Sequence, residues 1–376
     1  MKPKLAFVNN QIKKIKIENL YREMRYGQIH GPYITIRKKK LVNLCSNDYL
    51  GIQISVNFGE QMQSSSRLVS GNDVSFKTLE EKLGKHKSQE GALIFPTGYM
   101  ANIGTISTLI KKSDLILSDE LNHASIIEAC KLSGCKTSIY NHNDVDDLTA
   151  KLNQDHKRKF VITEGVFSMD GDLANLKKIV EIVEKKNAII ILDDAHGDFT
   201  IGKDGRGTPD YFGVSKKIDL YVSSLSKGLG SFGGYVATQK NIIELLINKS
   251  KSFVYTSALP SFLVKYSLKK FNYDREKQRK KLWKNVEYLS AGLKQIGYNF
   301  NSTTHIIPII IGREKTALEF GRYLFKNGIY AQPIRYPTVS KNKARIRISL
   351  TAWLSKNHIE SALHVFESAA KKFEIV

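Results

Sequence analysis

Cysteine is nearly absent from this chain: Cys45, Cys130 and Cys135 are the only three in 376 residues. An odd count with no C-x-x-C pair argues against a disulfide framework and against a zinc site. Long apolar runs are missing as well. No stretch approaches the roughly 18 residues that a membrane span needs. The N-terminal MKPKLAFVNNQIKKIKIE is broken by lysines and lacks the apolar centre of a signal peptide. These absences lead to the expectation of a cytoplasmic protein with no membrane partner and no metal. Acidic residues are few beside basic ones, 36 against 58, for a formal charge of +22. Such a surplus fits either solvated lysine-rich faces or an acidic partner. The basic residues are scattered, with no long stripe interleaved with aromatics, so no nucleic acid is expected. Internal repeats and low-complexity linkers are also lacking.

What is present is a changing texture. Residues 1–43 read as a weakly patterned basic arm, with a helical start, NQIKKIKIENLYREMR, and an extended YITIRKKKLVNL. From about residue 90 short apolar runs alternate with helix-period stretches: GALIF, DLILSDE, KFVITEG, AIIILDDAH and DLYVSSLSK mark the strands. That alternation predicts an α/β domain over 44–275, a mostly parallel sheet flanked by helices. AIIIL has no polar alternation and suits a strand buried on both faces. Past 275 a long basic amphipathic helix, then HIIPIIIG, ALEFGRYLFKNG, ARIRISL and a closing helix predict a smaller α+β domain over 276–376.

Ligands of parallel sheets sit beyond the carboxyl ends of the strands, so the residues just past each apolar run matter most. After GALIF comes PTGYMAN, where Gly98 and Tyr99 open a helix with free backbone N–H groups for a phosphate. His123 follows LILSDEL, Ser168 follows FVITEGVF, and the pair Asp193/Asp194 with His196 follows IIIL. Lys227 follows LYVSSLS, ahead of Gly228, Gly230 and Gly233. Each has an ordinary structural reading; Gly98 as a turn and the Asp pair as a cap on a following helix are examples. Together they are more than chance supplies.

Three motifs compete for Lys227. The S-x-x-K of serine acylases lacks its companion K-T-G. The G-x-G-x-x-G runs into the extended GGYVAT, so no helix is there to receive a dinucleotide pyrophosphate. The third is a lysine that bonds a carbonyl cofactor. Pyridoxal phosphate wants each part of this set: a helix N-terminus for phosphate, an amine for the aldehyde, and a carboxylate, Asp193, for the pyridine nitrogen. His196 and Ser168 are in order to meet the ring oxygen, and His123 to stack on the ring.

The stretches LCSNDYLG, SRLVSGN, PTGYMAN, HASIIEA, HNDV, TEGVFSMDGD, DDAHG, SKGLGSFGG, YTSALP, YPTV and ARIRISLTA, spread over residues 41–352, resemble the pyridoxal-phosphate-dependent α-oxoamine synthases of fold type I. The resemblance implies an acyltransferase that joins an amino acid to an acyl thioester with loss of carbon dioxide. SRLVSGN and YPTV lean toward a biotin-pathway member that takes L-alanine and a pimeloyl thioester, carried by coenzyme A or by acyl-carrier protein. Sister enzymes that use glycine or serine remain the alternative. By the same resemblance Lys227 is both cofactor anchor and base, Ser224 adds a hydroxyl to the phosphate, and Thr256 and Ser257 reach the phosphate of a second protomer in a homodimer with shared active sites. Arg347 clamps the amino-acid carboxylate, Asn47 lies beside the substrate, and Arg22, with Arg25, meets the acidic part of the thioester. Arg345 is expected in a structural ion pair. The chain departs from the family where QMQSS precedes SRLVSG, where SKNK follows YPTV, and at Trp353.

Overall fold

The computed structural model describes residues 3–55 and 64–376, so Gln61, Met62 and Gln63 of QMQSS lie outside the described residues. The chain divides into two compact units, Asn47–Ser168 with Asp172–Arg279, and Met1–Ser46 with Met169–Gly171 and Lys280–Val376. The division differs from the boundaries read in sequence: residues 1–43 form no separate arm but part of the unit that holds the C-terminal residues.

The reason is strand pairing. YITIRKKKLVNL and the residues before it fold back as β1 (Gln28–His30), β2 (Tyr33–Ile36) and β3 (Lys39–Asn43), antiparallel in sequence order. Arg37 and Lys38 make the turn with positive φ. Ile34, Ile36 and Leu41 are thereby buried against Phe325 and Tyr330, contacts that no local pattern announces. The expected N-terminal helix is shorter than read, Ala6–Ile17, and buries none of its residues.

The other unit is built on a seven-stranded sheet. Its strands are β4 (Gly91–Phe95), β5 (Leu115–Asp119), β6 (Lys136–Tyr140), β7 (Lys159–Glu164), β8 (Ile189–Asp193), β9 (Leu220–Ser224) and β10 (Gly234–Thr238), ordered β4-β10-β9-β8-β7-β5-β6. β5 to β9 pair in parallel, and β10 runs antiparallel to both β4 and β9. The predicted mostly parallel sheet is therefore present. Fully buried β5, β9 and β10 read as continuous apolar runs because helices cover both faces. β6 was missed in sequence: it is a sheet edge with mixed polar residues, mostly exposed.

The remaining strands are β11 (Ile306–Gly312), β12 (Ile329–Tyr330), β13 (Pro333–Ile334) and β14 (Ala344–Ser349). β12 lies parallel to β3, and β11, β14 and β13 form a small antiparallel sheet. The helices Glu314–Lys326 and Lys356–Phe373 fall where sequence periodicity put them. Among the described residues no helix is long and apolar enough to cross a membrane, and no cluster of three or more His, Cys, Asp or Glu could hold a metal ion.

Candidate active site

The parallel strands β5, β7, β8 and β9 end in Asp119, Glu164, Asp193 and Ser224. The sheet thus delivers its polar residues to one edge, as the strand-end argument expects. At β4, Thr97 caps the helix Gly98–Leu109 by accepting from Met100 N at 3.1 Å. Glycine at Gly98 and Gly234 lets strand and helix start approach closely. A Cβ at Gly234 would fall 2.4 Å from Gly98 Cα and N, and one at Gly98 would fall 3.3 Å from Ser224 Cβ. Gly98 and Ser224 are thereby brought together at the helix N-terminus, a concave place for an anion. Tyr99 follows on the same turn and is exposed.

Two chains of hydrogen bonds run through the site. In the first, Lys227 Nζ donates to His196 Nε2 at 2.9 Å. His196 Nδ1 stands 2.6 Å from the Tyr49 hydroxyl, which is 3.2 Å from Asn47 Oδ1. With Nε2 accepting, Nδ1 carries the proton and donates to Tyr49, which donates onward to Asn47. In the second chain Asn102 Nδ2 donates to Asp193 Oδ2 at 2.6 Å and to Ser125 Oγ at 2.9 Å. Ser125 in turn meets His123 Nδ1 at 2.8 Å, and the Ser125 backbone N–H also donates to that nitrogen at 3.3 Å. His123 Nδ1 is therefore an acceptor, which leaves the ring proton on Nε2. Loss of surrounding water lowers the His123 pKa, and Lys227 lowers it further against the pull of Asp193. Both observations describe a neutral imidazole able to donate from Nε2.

The adjacent carboxylates of Asp193 and Asp194 diverge. Asp193 Oδ1 accepts from Ala195 N at 2.9 Å and stays at the site. The ordinary structural alternative, a cap on a following helix, does not hold: turns come next, and the next α-helix starts at Thr208. Asp194 instead accepts from Thr208 Oγ1 at 2.8 Å and from Lys87 Nζ at 3.3 Å. Lys87, fully buried, also holds Asp198 at 2.7 Å. Asp198 in turn accepts from Ser223 Oγ at 2.7 Å and from the Tyr235 hydroxyl at 2.5 Å, and meets His86 Nε2 at 3.0 Å. The turn that carries Asp193 and His196 is thus tied down from beneath at both Asp194 and Asp198.

Ser168 is buried in the turn after β7, where Phe167 N donates to Asp172 O at 3.0 Å. His142, from the HNDV stretch, anchors this turn. Its ring nitrogens reach Asp119 Oδ1 at 3.0 Å and Asp172 Oδ2 at 2.8 Å, and its ring meets Phe167 edge-on. Burial alone would lower the His142 pKa, but the two carboxylates raise it to about 10. The sign is then fixed: the clamp contributes fully below the ordinary value of 6.5 and is lost as pH rises toward 10. Unfolding measured in denaturant is expected to show stability declining from pH 7 to pH 10, and His142→Gln to flatten that decline. An equally steep decline in the variant would assign it to another group.

Thr256 and Ser257 lie in the loop after the helix Lys251–Val254, around a small recess with Arg67, Phe76 and Ile94. None of Lys227, His196, Asp193 or His123 lines that recess. In the other unit Arg347 stands on β14, its Nη1 donating to Ser349 Oγ at 2.6 Å. Arg345 pairs with Asp170, as expected, and donates to Met169 O at 3.3 Å. Arg22 donates to Thr338 Oγ1 at 3.1 Å and lines a cavity of about 400 Å³ with Arg25, Arg322 and Arg335. No carboxylate among the described residues is ion-paired with any of these four arginines. Sequence reasoning missed Tyr49, Asn102 and Glu164. Tyr49 and Glu164 lie inside stretches that carry the family resemblance, LCSNDYLG and TEGVFSMDGD, and Asn102 ends PTGYMAN; that was the only signal for them.

The model of the aminotransferase class I and II family matches residues 39–366. The 8-amino-7-oxononanoate synthase of Thermoanaerobacter pseudethanolicus is 39% identical, covering 99% of this chain and 98% of its own. The chain belongs to the 8-amino-7-oxononanoate synthase family. Among solved structures, an 8-amino-7-oxononanoate synthase from Francisella tularensis superposes with a TM-score of 0.76 at 28% identity, covering 89% of this chain and 99% of that one. A serine palmitoyltransferase from S. paucimobilis with a bound PLP–myriocin aldimine gives 0.91 at 26% identity, over 99% of both chains. The fold is that of the fold-type-I pyridoxal phosphate enzymes, and pyridoxal phosphate is the cofactor of this family. The residues present fit it. The Gly98–Gly234 approach leaves a cradle that a Cβ would fill, Asp193 is a buried carboxylate fixed by Asn102, and Asn102 Oδ1 is buried with no partner of its own.

Proposed function

We propose that the protein condenses L-alanine with a pimeloyl thioester, releasing carbon dioxide and the free thiol to give 8-amino-7-oxononanoate, as a cytoplasmic homodimer. The observation that carries the chemistry is the convergence of an amine, Lys227, and a fixed carboxylate, Asp193, at the ends of neighbouring strands β9 and β8. The substrates are taken from the full-length likeness to the synthases. Bound at this site, pyridoxal phosphate supplies an electron sink for the charge left on the alanine Cα.

The chain's own residues do the rest. Backbone N–H groups at Gly98 and Tyr99, with the Ser224 hydroxyl, hold the phosphate at the helix N-terminus. Asp193, held by Asn102 and Ala195 N, keeps a proton on the pyridine nitrogen. His196 and Ser168 would hold the bound cofactor through its ring hydroxyl, and His123 would pack against the ring. Lys227 anchors the cofactor and moves the proton at the alanine Cα. His123 presents Nε2–H to the thioester carbonyl, where negative charge grows as the new carbon–carbon bond forms. The Arg347 fork takes the amino-acid carboxylate, and Asn47 serves the substrate. Arg22 meets the acidic end of the acyl donor, with coenzyme A or acyl-carrier protein as its carrier. Thr256 and Ser257 serve the phosphate of the partner protomer's site.

The test is carbon dioxide release from carboxyl-labelled alanine, dependent on pimeloyl thioester, with glycine and serine as competitors. The fold likeness to serine palmitoyltransferase, at TM-score 0.91, favours a second reading in which serine and a long-chain thioester react. Turnover of serine or glycine with alanine inert would replace the first reading.

A further inference from the structure

Glu164 ends β7 directly beside Asp193, its register partner on β8. It is 2% exposed, and no hydrogen bond reaches its buried Oε1. Around the carboxyl stand Asp193 on the neighbouring strand, Asp119 at the end of β5, Lys227 after β9 and the backbone N–H of His123. The carboxyl is thus enclosed by the groups that compose the active site.

A charged carboxylate in that position would be badly off. It would lie next to a second carboxylate, stripped of water and without a hydrogen bond to one of its oxygens, an arrangement that strongly favours the neutral acid. When two carboxyl groups share a buried place one of them keeps a proton. Asp193 is not the one to keep it, since both its oxygens already accept, from Ala195 N and Asn102 Nδ2. The proton belongs on Glu164, whose Oε1 receives no hydrogen bond from the protein. In agreement, burial raises the Glu164 pKa well above the ordinary value and Asp193 raises it further, against Lys227 and the His123 N–H.

We propose that Glu164 is a positioning residue that stays uncharged and donates its O–H within the cofactor site, leaving Asp193 as the single negative charge beside the pyridine nitrogen. This rests on the pyridoxal phosphate reading of the site. Ionising Glu164 would place a second negative charge beside Asp193 and oppose an anionic cofactor.

The experiment compares wild type, E164Q and E164A. Pyridoxal phosphate dissociation constants are measured by ultrafiltration between pH 7 and pH 9.5, and thermal midpoints of the cofactor-free proteins serve as the folding control. Glutamine is a neutral donor of similar shape. E164Q is expected to retain most of the affinity at pH 7, and E164A to lose about tenfold. Wild type and E164Q are expected to weaken in parallel toward pH 9.5, since Glu164 stays uncharged and titration of Lys227 and of the cofactor is common to both. E164Q as weak as E164A at pH 7 would show that charge is needed, and a wild type that weakens more steeply than E164Q would show that the carboxyl gives up its proton. Either result overturns this inference alone. A wild type that binds no pyridoxal phosphate at any pH overturns it together with the proposed function.

Discussion

Replacing Lys227 with alanine is expected to lower product formation more than about 10³-fold while leaving the fold intact. Lys227 sits where β9 has ended and the backbone turns, so its side chain supports no strand. Its amine meets His196 Nε2 at 2.9 Å. On the proposed function, loss of the amine removes both the anchor for the cofactor aldehyde and the base at the alanine Cα. His196 is already committed on both nitrogens, and His123 Nδ1 accepts from Ser125. Three readings check the expectation: single-turnover carbon dioxide release, pyridoxal phosphate retained after gel filtration, and the thermal midpoint. A variant within tenfold of wild type would remove Lys227 from the mechanism. A collapsed midpoint would make the lysine structural.

Replacing Lys87 with methionine is expected to destabilise the protein by about 3–5 kcal/mol, the range for breaking a buried ion pair by removing one partner. Lys87 is 2% exposed and lies between two fully buried carboxylates, Asp194 and Asp198. Burial alone would lower its pKa, but the two carboxylates more than offset that and hold it raised. Asp194 is raised to about 6, burial outweighing Lys87. Asp198 is held below the usual carboxylate range, Lys87 and His86 outweighing burial. With methionine at Lys87 both acids are uncompensated, and the turn Asp194–Asp198 that carries His196 loses its support. Denaturant unfolding gives the magnitude. In an Asp198→Asn background the same substitution is expected to cost less, because one of the stranded charges is gone. Equal costs in the two backgrounds would mean that the Lys87–Asp198 pair does not couple.

Much of the site was legible in sequence because a parallel sheet converts order along the chain into place. Each apolar run ends at the same edge, so His123, Ser168, Asp193, His196 and Lys227 could be collected from the residues at and just past the end of each run. The carboxylate pair shows where that reading stops. Asp193 and Asp194 are neighbours in sequence, yet one faces Asn102 and the other Lys87. Which carboxylate meets which partner depends on residues that stand 91 and 107 positions earlier in the chain. Lys87 was invisible for the same reason, and Tyr49 and Asn102 were marked only by the family stretches that hold them: one residue among many carries no periodic signal.

The sequence by itself determined the alternation of strand and helix, the strand ends that carry chemistry, and the family, because hydrophobic period and motif spacing are properties of neighbours along the chain. The tertiary structure alone decided that β3 pairs with β12, that Lys227 and Asp193 each head a separate hydrogen-bond chain, and that Glu164 Oε1 lies beside Asp193 without a hydrogen bond. Those outcomes depend on burial and on partners far apart in sequence, where the loss of water sets which charges persist.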